Sequence, residues 1–377
     1  MRPTKSSFWF IFCILAGMLG QGSAHAEPSP IGFVTGLQSP EDLIQIAGTP
    51  WVVVSAMRSK GHAGRLVVVD ARDPTRRHPL YPAAHAIPGG PDAATFAPHG
   101  MATRPLGEHR VELLVVEHGA GQFVDEFVLD TRGDLPPIVT SVVQVAMPEG
   151  TSGNGVAPLP DGGFVVTSMF DPRDPAFVDA FARAEPTGAV WRHSPKGGWT
   201  MLAKPRLSAA NGIATSKDGE TLFVTEWAAR RVWRIPLRNG NPISTPVTFN
   251  PDNLRWTDAG DLLVVGQTGG ARELFQCEPL RLPCPMGYVV ARIDPETASV
   301  KTILAGDDAS YANDGFGAGT GAIQIGSSLW VGTYFGDRIA RFALPRALTP
   351  RGGPMSEPSS RVRADPPAVP PGTRGYQ

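Results

Sequence analysis

The fold is decided by the segment Asn250-Pro-Asp-Asn-Leu-Arg-Trp-Thr-Asp-Ala-Gly-Asp-Leu-Leu-Val-Val-Gly266. It contains an acidic residue followed by an amide, Asp252 and Asn253, and continues as a short apolar strand, a tight polar turn and a second strand. The same order of features recurs upstream, over residues 153–167 and 210–226. A repeat that carries an oxygen-bearing side chain at one fixed place indicates a repeated β unit and a site shared between its copies.

Six such units follow one another along the chain. Their first strands start at Asp42, His99, Asn154, Asn211, Asn253 and Gly321. A period of roughly 40–60 residues with three or four strands per unit is typical of a β-propeller blade, and the strand period excludes a helical repeat. These patterns predict an all-β fold, a six-bladed β-propeller over residues 27–345. Residues 27 to about 38 are expected to be a polar lead-in that precedes the first blade.

The two ends of the chain are predicted to lie outside the propeller. A basic start, an apolar run and the small-residue motif Ala24-His-Ala26 predict a signal peptide over residues 1–26, with an uncleaved anchor as the alternative. We therefore expect an exported protein, periplasmic or secreted, with no stable membrane anchor after cleavage. The Pro- and Arg-rich residues 346–377 cannot form a core and are expected to be disordered.

Charge and cysteine content narrow the classes of function. The formal net charge of −1 offers no basic surface for nucleic acid. Cys277 and Cys284 are the cysteines that remain after cleavage, and in an oxidising compartment we expect a disulfide between them. They have no neighbouring Cys or His with which to form a zinc site.

The polar residues at the starts of the repeats predict a metal site on the propeller axis. The first strand of each blade lines the central channel, so equivalent positions converge there. Those positions hold Glu41, Asp42, His99, Asn154, Asn211, Asp252 and Asn253. Carboxylate and amide oxygens favour calcium over zinc or magnesium. Taken singly, each Asn before Gly also fits an ordinary turn residue.

His99 and His118 form a second candidate feature. His99 opens the second inner strand, and His118 ends the antiparallel strand that returns to the same end of the blade. A pair of imidazoles beside a metal-bound carbonyl could relay a proton, because imidazole titrates near neutrality. The alternatives are a structural hydrogen-bonded pair or a metal ligand.

Five ordered motifs carry a resemblance to a known family. They are Pro40-Glu-Asp-Leu43, Ala97-Pro-His-Gly100, Leu113-Leu-Val-Val-Glu-His118, Ala210-Asn-Gly-Ile213 and Pro251-Asp-Asn-Leu254. Because these five motifs occur in this order, the chain resembles the paraoxonase (arylesterase/lactonase) family. More broadly it is similar to the senescence-marker-protein/gluconolactonase/strictosidine-synthase-like propellers, over roughly residues 36 to 344.

The resemblance implies a catalytic calcium and a histidine dyad. The implied calcium ligands are Glu41, Asn154, Asn211, Asp252 and Asn253. His99 and His118 match the dyad, and Asp42 matches a ligand of a second, structural calcium. Gly155 stands where that family carries an Asp, which argues against the second ion. Gln267 stands where the family often has a His in the active-site wall, and no Cys lies near either end of the mature chain to close the fold.

The leading hypothesis is an exported, calcium-dependent hydrolase of small-molecule lactones or aryl esters. Calcium would stabilise the oxyanion. His99 would deprotonate the attacking water and His118 would orient it or relay the proton, and Asp252 is the alternative base. The second hypothesis is a sugar lactonase or a strictosidine-synthase-like enzyme. The third is a non-catalytic binding propeller in which calcium only stabilises the channel. The sequence does not specify the substrate, because the pocket walls are expected to come from the loops at 170–185 and 271–287.

Overall fold

Six antiparallel sheets of four strands each make up the part of the chain that the structure describes. The structure is a computed structural model, and it describes residues 29–59, 62–83, 87–203, 205–277 and 284–344. Each sheet is one blade, so the predicted six-bladed propeller is confirmed. The predicted signal peptide (1–26) and the predicted disordered tail (346–377) lie outside the described residues.

The first strand of the chain belongs to the last blade. β1 (Gly32–Thr35) pairs antiparallel with the final strand, from Gly32 opposite Arg341 to Thr35 opposite Arg338. The segment that was expected to be a polar lead-in before the first blade therefore contains a strand of the sixth blade. This strand closes the ring, because its backbone hydrogen bonds join the two ends of the propeller. A disulfide between the chain ends is not needed for this closure.

The first three blades follow in sequence order from the channel outward. Blade one has β2 (Pro40–Gln45), β3 (Trp51–Ala56), β4 (Arg65–Asp70) and β5 (Arg77–Tyr81). Blade two has β6 (Pro98–Gly107), β7 (Arg110–Glu117), β8 (Phe123–Asp130) and β9 (Ile138–Ala146). Blade three has β10 (Gly153–Pro158), β11 (Phe164–Ser168), β12 (Ala189–Ser194) and β13 (Gly198–Met201), with α1 (Phe177–Ala182) between β11 and β12.

The last three blades repeat the arrangement. Blade four has β14 (Ala210–Thr215), β15 (Thr221–Glu226), β16 (Arg231–Pro236) and β17 (Ile243–Pro246). Blade five has β18 (Asn250–Trp256), β19 (Leu262–Gln267), β20 (Tyr288–Ile293) and β21 (Val300–Gly306), with α2 (Ala271–Cys277) between β19 and β20 and α3 (Asp308–Asp314) after β21. Blade six has β22 (Gly319–Ile325), β23 (Ser328–Thr333) and β24 (Arg338–Ala343), completed by β1.

The core lies between neighbouring blades. Both faces of a blade meet another blade, so second strands such as Trp51–Ala56 are buried at every residue. Between blades one and two, Trp51, Phe96 and Phe127 are fully buried in one apolar cluster. Each such side chain contributes about 1.5–3 kcal/mol through burial. Among the described helices, none is long and apolar enough to cross a membrane.

Candidate active site

A β-bulge interrupts every inner strand at the level of the predicted site residues. The pairing with the second strand shifts register between Pro40 and Asp42, Pro98 and Met101, Gly153 and Val156, Ala210 and Ile213, Pro251 and Leu254, and Gly319 and Ala322. Five of these bulges enclose the predicted polar residues, and the sixth encloses Thr320. A bulge bends the strand and re-aims its side chains, so the six bulges turn the polar groups toward the channel.

Buried threonines hold the bulges of adjacent blades together. From the second strands of blades three and four, the Thr167 hydroxyl donates to the Asn211 carbonyl and the Thr225 hydroxyl donates to the Asp252 carbonyl, the latter at 2.6 Å. Thr320, on the inner strand of blade six, donates to the Glu41 carbonyl at 2.7 Å. The backbone of the site is therefore fixed from blade to blade.

One cavity of about 290 Å³ at this end of the channel brings most of the predicted residues together. Its polar lining includes Glu41, His99, His118, Asn154, Asn211 and Asp252. Asn253 lies next to Asp252 and donates from its amide nitrogen to Glu41 Oε1 at 2.6 Å. Six of the seven residues predicted for the catalytic calcium and the histidine dyad therefore line one cavity, and the seventh, Asn253, contacts one of them.

Three oxygens of this group are buried without a hydrogen-bond partner among the described residues. They are Glu41 Oε2, Asn154 Oδ1 and Asn211 Oδ1. Leaving one buried polar atom unpaired costs about 1–3 kcal/mol, so three in one cavity indicate a missing ligand. All three are oxygens, and with Glu41 ionised none of them is a donor, so their natural ligand is a cation or a hydrogen-bond donor.

The charges around the cavity also favour a cation. Burial, together with Asp42 and Asp252, raises the pKa of Glu41 well above its usual range. Burial raises the pKa of Asp252 to about 7, and Asp42 adds to the rise. Of these three carboxylates, Asp42 pairs with the guanidinium of Arg255, whose charge also acts on Glu41. When all are ionised, two negative charges remain, which one divalent cation would neutralise.

The donor set fits calcium better than zinc. No group of three or more His, Cys, Asp or Glu side chains able to hold a metal occurs in the described ranges, so a metal here would depend on amide oxygens as well. Calcium takes six to eight oxygens in irregular geometry. The residues that would hold it are Glu41, Asn154, Asn211 and Asp252, with Asn253 beside them.

Asp42 does not fit a second cation. Its Oδ1 accepts from the Leu43 amide at 2.8 Å, and its Oδ2 accepts from the Met101 amide at 2.7 Å and from the Arg255 guanidinium. With both oxygens engaged and a positive charge already in contact, no position for another ion is left at this carboxylate.

The hydrogen-bond chain behind His99 fixes the tautomers of both histidines. The Gly153 amide donates to Gln122 Oε1 at 3.0 Å, which identifies that atom as the amide oxygen. His118 Nδ1 lies 2.9 Å from the same oxygen and must therefore carry a proton. In the neutral ring His118 Nε2 then accepts from His99 Nδ1, 2.9 Å away. His99 Nε2 is left as a proton acceptor.

Burial favours the neutral form of both imidazoles. Burial and the neighbouring His118 lower the pKa of His99 to about 3, and burial lowers the pKa of His118. His99 Nε2 lies 3.7 Å from Glu41 Oε1, so the free acceptor stands beside the carboxylate of the candidate metal site. A neutral imidazole in this position can accept a proton from water.

The rest of the cavity lining is mainly apolar. It consists of Met57, Met169, Phe170, Trp227, Leu274, Phe275 and Tyr334, together with Gln122, Ser152 and Gly153. Phe170, Leu274 and Phe275 come from the two segments that were expected to form the pocket walls. Both segments were expected to be loops, but they contain α1 and α2, which pack on each other. Helices of six and seven residues are too short to show a period in the sequence.

A disulfide joins Cys277 to Cys284, as predicted. Cys277 is the last residue of α2, and both cysteines are buried in the cluster that contains Phe181, Trp227 and Leu274. The bond therefore anchors the helix that supplies Leu274 and Phe275 to the cavity.

Gln267, which stands where the family often has a His in the active-site wall, does not line the cavity. Its side chain is fully buried behind the site, where Nε2 donates to Asp252 Oδ2 at 2.8 Å and Oε1 accepts from Trp227 Nε1 at 2.7 Å. It therefore orients one carboxylate of the site and one apolar wall. Gln267 is the last residue of β19, and its second bond from Nε2, to the Gly319 carbonyl, shows that blade six covers this end of the strand.

Two further residues of the site were missed at the level of sequence. Gln122 fixes the histidine tautomers from a turn that has no motif. Arg255 sits in an inner strand two residues after Asn253, where a charged residue in an otherwise buried strand could have been noticed. Its side chain is 15% exposed, which is low for an arginine.

Comparison with known proteins agrees with the fold. Residues 95–272, somewhat less than half of the chain, match the family described as SMP-30/Gluconolactonase/LRE-like region. A search of curated proteins found no match.

Similar solved structures share the architecture at low sequence identity. A gluconolactonase of Xanthomonas campestris is 16% identical with a TM-score of 0.50, covering 85% of this chain and 95% of its own. A luciferin-regenerating enzyme is 11% identical with a TM-score of 0.50, covering 82% and 92%. A Bacteroides thetaiotaomicron protein of unknown function is 11% identical with a TM-score of 0.51, covering 84% and 73%. The chain is therefore a six-bladed β-propeller that is similar, over residues 95–272, to the SMP-30/gluconolactonase/LRE-like region.

Proposed function

We propose that the protein is an exported, calcium-dependent hydrolase of lactones or aryl esters of the paraoxonase type. The observation that carries the proposal is the cavity itself, in which three unpartnered buried oxygens lie beside a histidine pair of fixed tautomer. The similarity of residues 95–272 to the SMP-30/gluconolactonase/LRE-like region supports the coarser class of lactonase.

The proposed chemistry is the attack of water on an ester carbonyl. Bound calcium would supply a Lewis acid that stabilises negative charge developing on the carbonyl oxygen. His99 Nε2 takes the proton from the attacking water, and His99 Nδ1 can pass its own proton to His118 Nε2, 2.9 Å away. The Gln122 oxygen holds His118 in the orientation that this transfer needs.

The apolar walls favour an apolar acyl or aryl substrate over a sugar lactone. A sugar lactone presents several hydroxyls, and each would need a partner to avoid a desolvation penalty. Apart from the polar site residues, the lining is mainly apolar, with two methionines, Phe170, Phe275, Trp227 and Leu274, and it adds few hydroxyls, those of Ser152 and Tyr334. Trp227 uses its indole N–H on Gln267, so that donor does not serve a ligand.

A substrate panel with and without calcium tests the proposal. Alkyl-substituted γ- and δ-lactones, phenyl acetate and gluconolactone are assayed on dialysed protein, with EGTA and then with calcium restored. We expect hydrolysis of the alkyl lactones or phenyl acetate, loss of activity with EGTA and recovery with calcium. Undiminished activity after full calcium removal would refute the mechanism. Preference for gluconolactone would favour the sugar-lactonase alternative, and calcium binding with no turnover would favour a binding propeller.

A further inference from the structure

Arg255 contacts Asp42, the neighbour of Glu41, but lines a different cavity from the one that holds the candidate calcium site. It extends from β18 of blade five across the channel to blades one and two. Its Nη2 donates to Asp42 Oδ2 and to the Met101 carbonyl, the latter at 2.9 Å. One guanidinium therefore ties together three inner strands that are far apart in sequence.

The contacts of this guanidinium are those that a metal ion would make. Both acceptors are oxygens, one from a buried carboxylate and one from the backbone. The carboxylate of Asp42 is 1% exposed and adjoins Glu41 of the candidate calcium site. A buried carboxylate is costly without a compensating charge, and Arg255 supplies that charge to Asp42 beside its two backbone hydrogen bonds.

The neighbouring strand leaves no room for a further carboxylate. A Cβ on Gly155 would lie 2.9 Å from the Asn211 carbonyl oxygen and 3.0 Å from the Ile213 nitrogen, both backbone atoms. The acid that the resemblance places after Asn154 is therefore excluded by packing, and the local charge is balanced by one arginine instead of an additional acid and a divalent ion.

We infer that Arg255 is the built-in counter-cation of the channel and takes the place of a second metal ion. The chain then binds one calcium ion and not two. This number rests on the proposed function, which includes one calcium at the candidate site. Arg255 is a positioning residue: it holds Asp42, and with it the strand that carries Glu41, without contacting substrate.

The test combines a count of bound calcium with thermal unfolding. Purified protein is dialysed against EGTA and then calcium, and the bound ion is measured by elemental mass spectrometry. We expect one ion per chain, and two would overturn the inference. A count of zero would instead refute the calcium-dependent function, and the variants below would then decide the role of Arg255.

Arg255→Met removes the charge and frees the Asp42 and Met101 oxygens. In EGTA we expect its Tm to fall by about 5–10 °C, as for breaking a buried ion pair in a domain of this size. Millimolar calcium should restore most of this loss and raise the count to two ions. A wild-type Tm in EGTA, or a loss that calcium does not restore, would overturn the inference.

Arg104→Met is the matched control. Arg104 is also an inner-strand arginine paired with a buried carboxylate, Glu112, at 2.5 Å, with 18% of its side chain exposed. Arg104→Met should have a lower Tm than the wild type in EGTA. Added calcium should raise the Tm of this variant by no more than it raises the Tm of the wild type. Should Arg255→Met fail to fold, Arg255→Lys keeps the charge and is expected to fold with one bound ion. A second ion in that variant would overturn the inference.

Discussion

Replacing members of the His99–His118–Gln122 chain one at a time should lower the hydrolysis rate in a graded series. His99→Gln removes the acceptor nitrogen that faces the cavity while keeping a polar side chain. A positioned general base contributes about 10²–10⁴-fold, so kcat/KM should fall by that factor. His118→Gln leaves the acceptor in place and removes the second step of the relay, so its effect should be smaller.

Gln122→Met should have the smallest effect of the series. It removes the 2.9 Å contact that fixes the His118 tautomer but forces no other tautomer. A neutral hydrogen bond is worth about 0.5–1.5 kcal/mol, which corresponds to about 2- to 12-fold in rate. Gln144→Met is the control, because Gln144 is also a glutamine of blade two but bonds Asp125 away from the cavity.

The assay is kcat/KM on the best substrate of the panel, at saturating calcium, with bound calcium measured in parallel. If the histidines act as a unit, His99→Gln combined with His118→Gln should be no slower than His99→Gln alone. A His99→Gln variant that keeps more than about half of the wild-type kcat/KM would contradict this base assignment. Asp252 would then be the candidate base.

Three further predictions concern the metal, the pocket and the core. Asn253→Ala removes the 2.6 Å bond to Glu41 and should weaken calcium binding about 10- to 100-fold, measured by competition with a fluorescent chelator. Phe275→Ala should raise KM for alkyl lactones by about tenfold, with the calcium affinity unchanged. Asp125 is fully buried, and burial raises its pKa to about 7 from 3.8, so its contribution to stability is lost as pH rises from about 4 to about 7. Asp125→Asn should therefore raise the free energy of unfolding at pH 8 by about 2–4 kcal/mol, and by little at pH 4, in urea titrations.

Each of these has a result that would count against it. Unchanged calcium affinity in Asn253→Ala would mean that this amide does not support Glu41. Equal losses of Phe275→Ala on alkyl lactones and gluconolactone would remove the case for an apolar pocket. A gain in Asp125→Asn that is the same at both pH values would show that the carboxyl is not titrating between them.

The inner strands could be predicted from sequence because one pattern repeats in them. An oxygen-bearing residue, an apolar strand and a polar turn mark β10, β14 and β18 in the same way. Convergence on the channel follows from the blade geometry, so the repeat alone was enough to place Asn154, Asn211 and Asp252 in one site.

The parts that sequence missed depend on contacts between distant residues. β1 has four residues and no period, and only its pairing with β24 makes it a strand. The six bulges leave no mark in composition, although they aim the site residues. Arg255 meets Asp42 across 213 positions of sequence, a separation at which spacing predicts nothing.

The most direct test of the calcium site is a crystal structure of the protein grown in calcium. We predict one strong peak on the channel axis, with Glu41 Oε2, Asn154 Oδ1 and Asn211 Oδ1 each within about 2.3–2.6 Å of it, and anomalous signal that fits calcium. A structure at millimolar calcium in which these oxygens meet only water, or a peak at Asp42 in place of the Arg255 guanidinium, would contradict the proposed site.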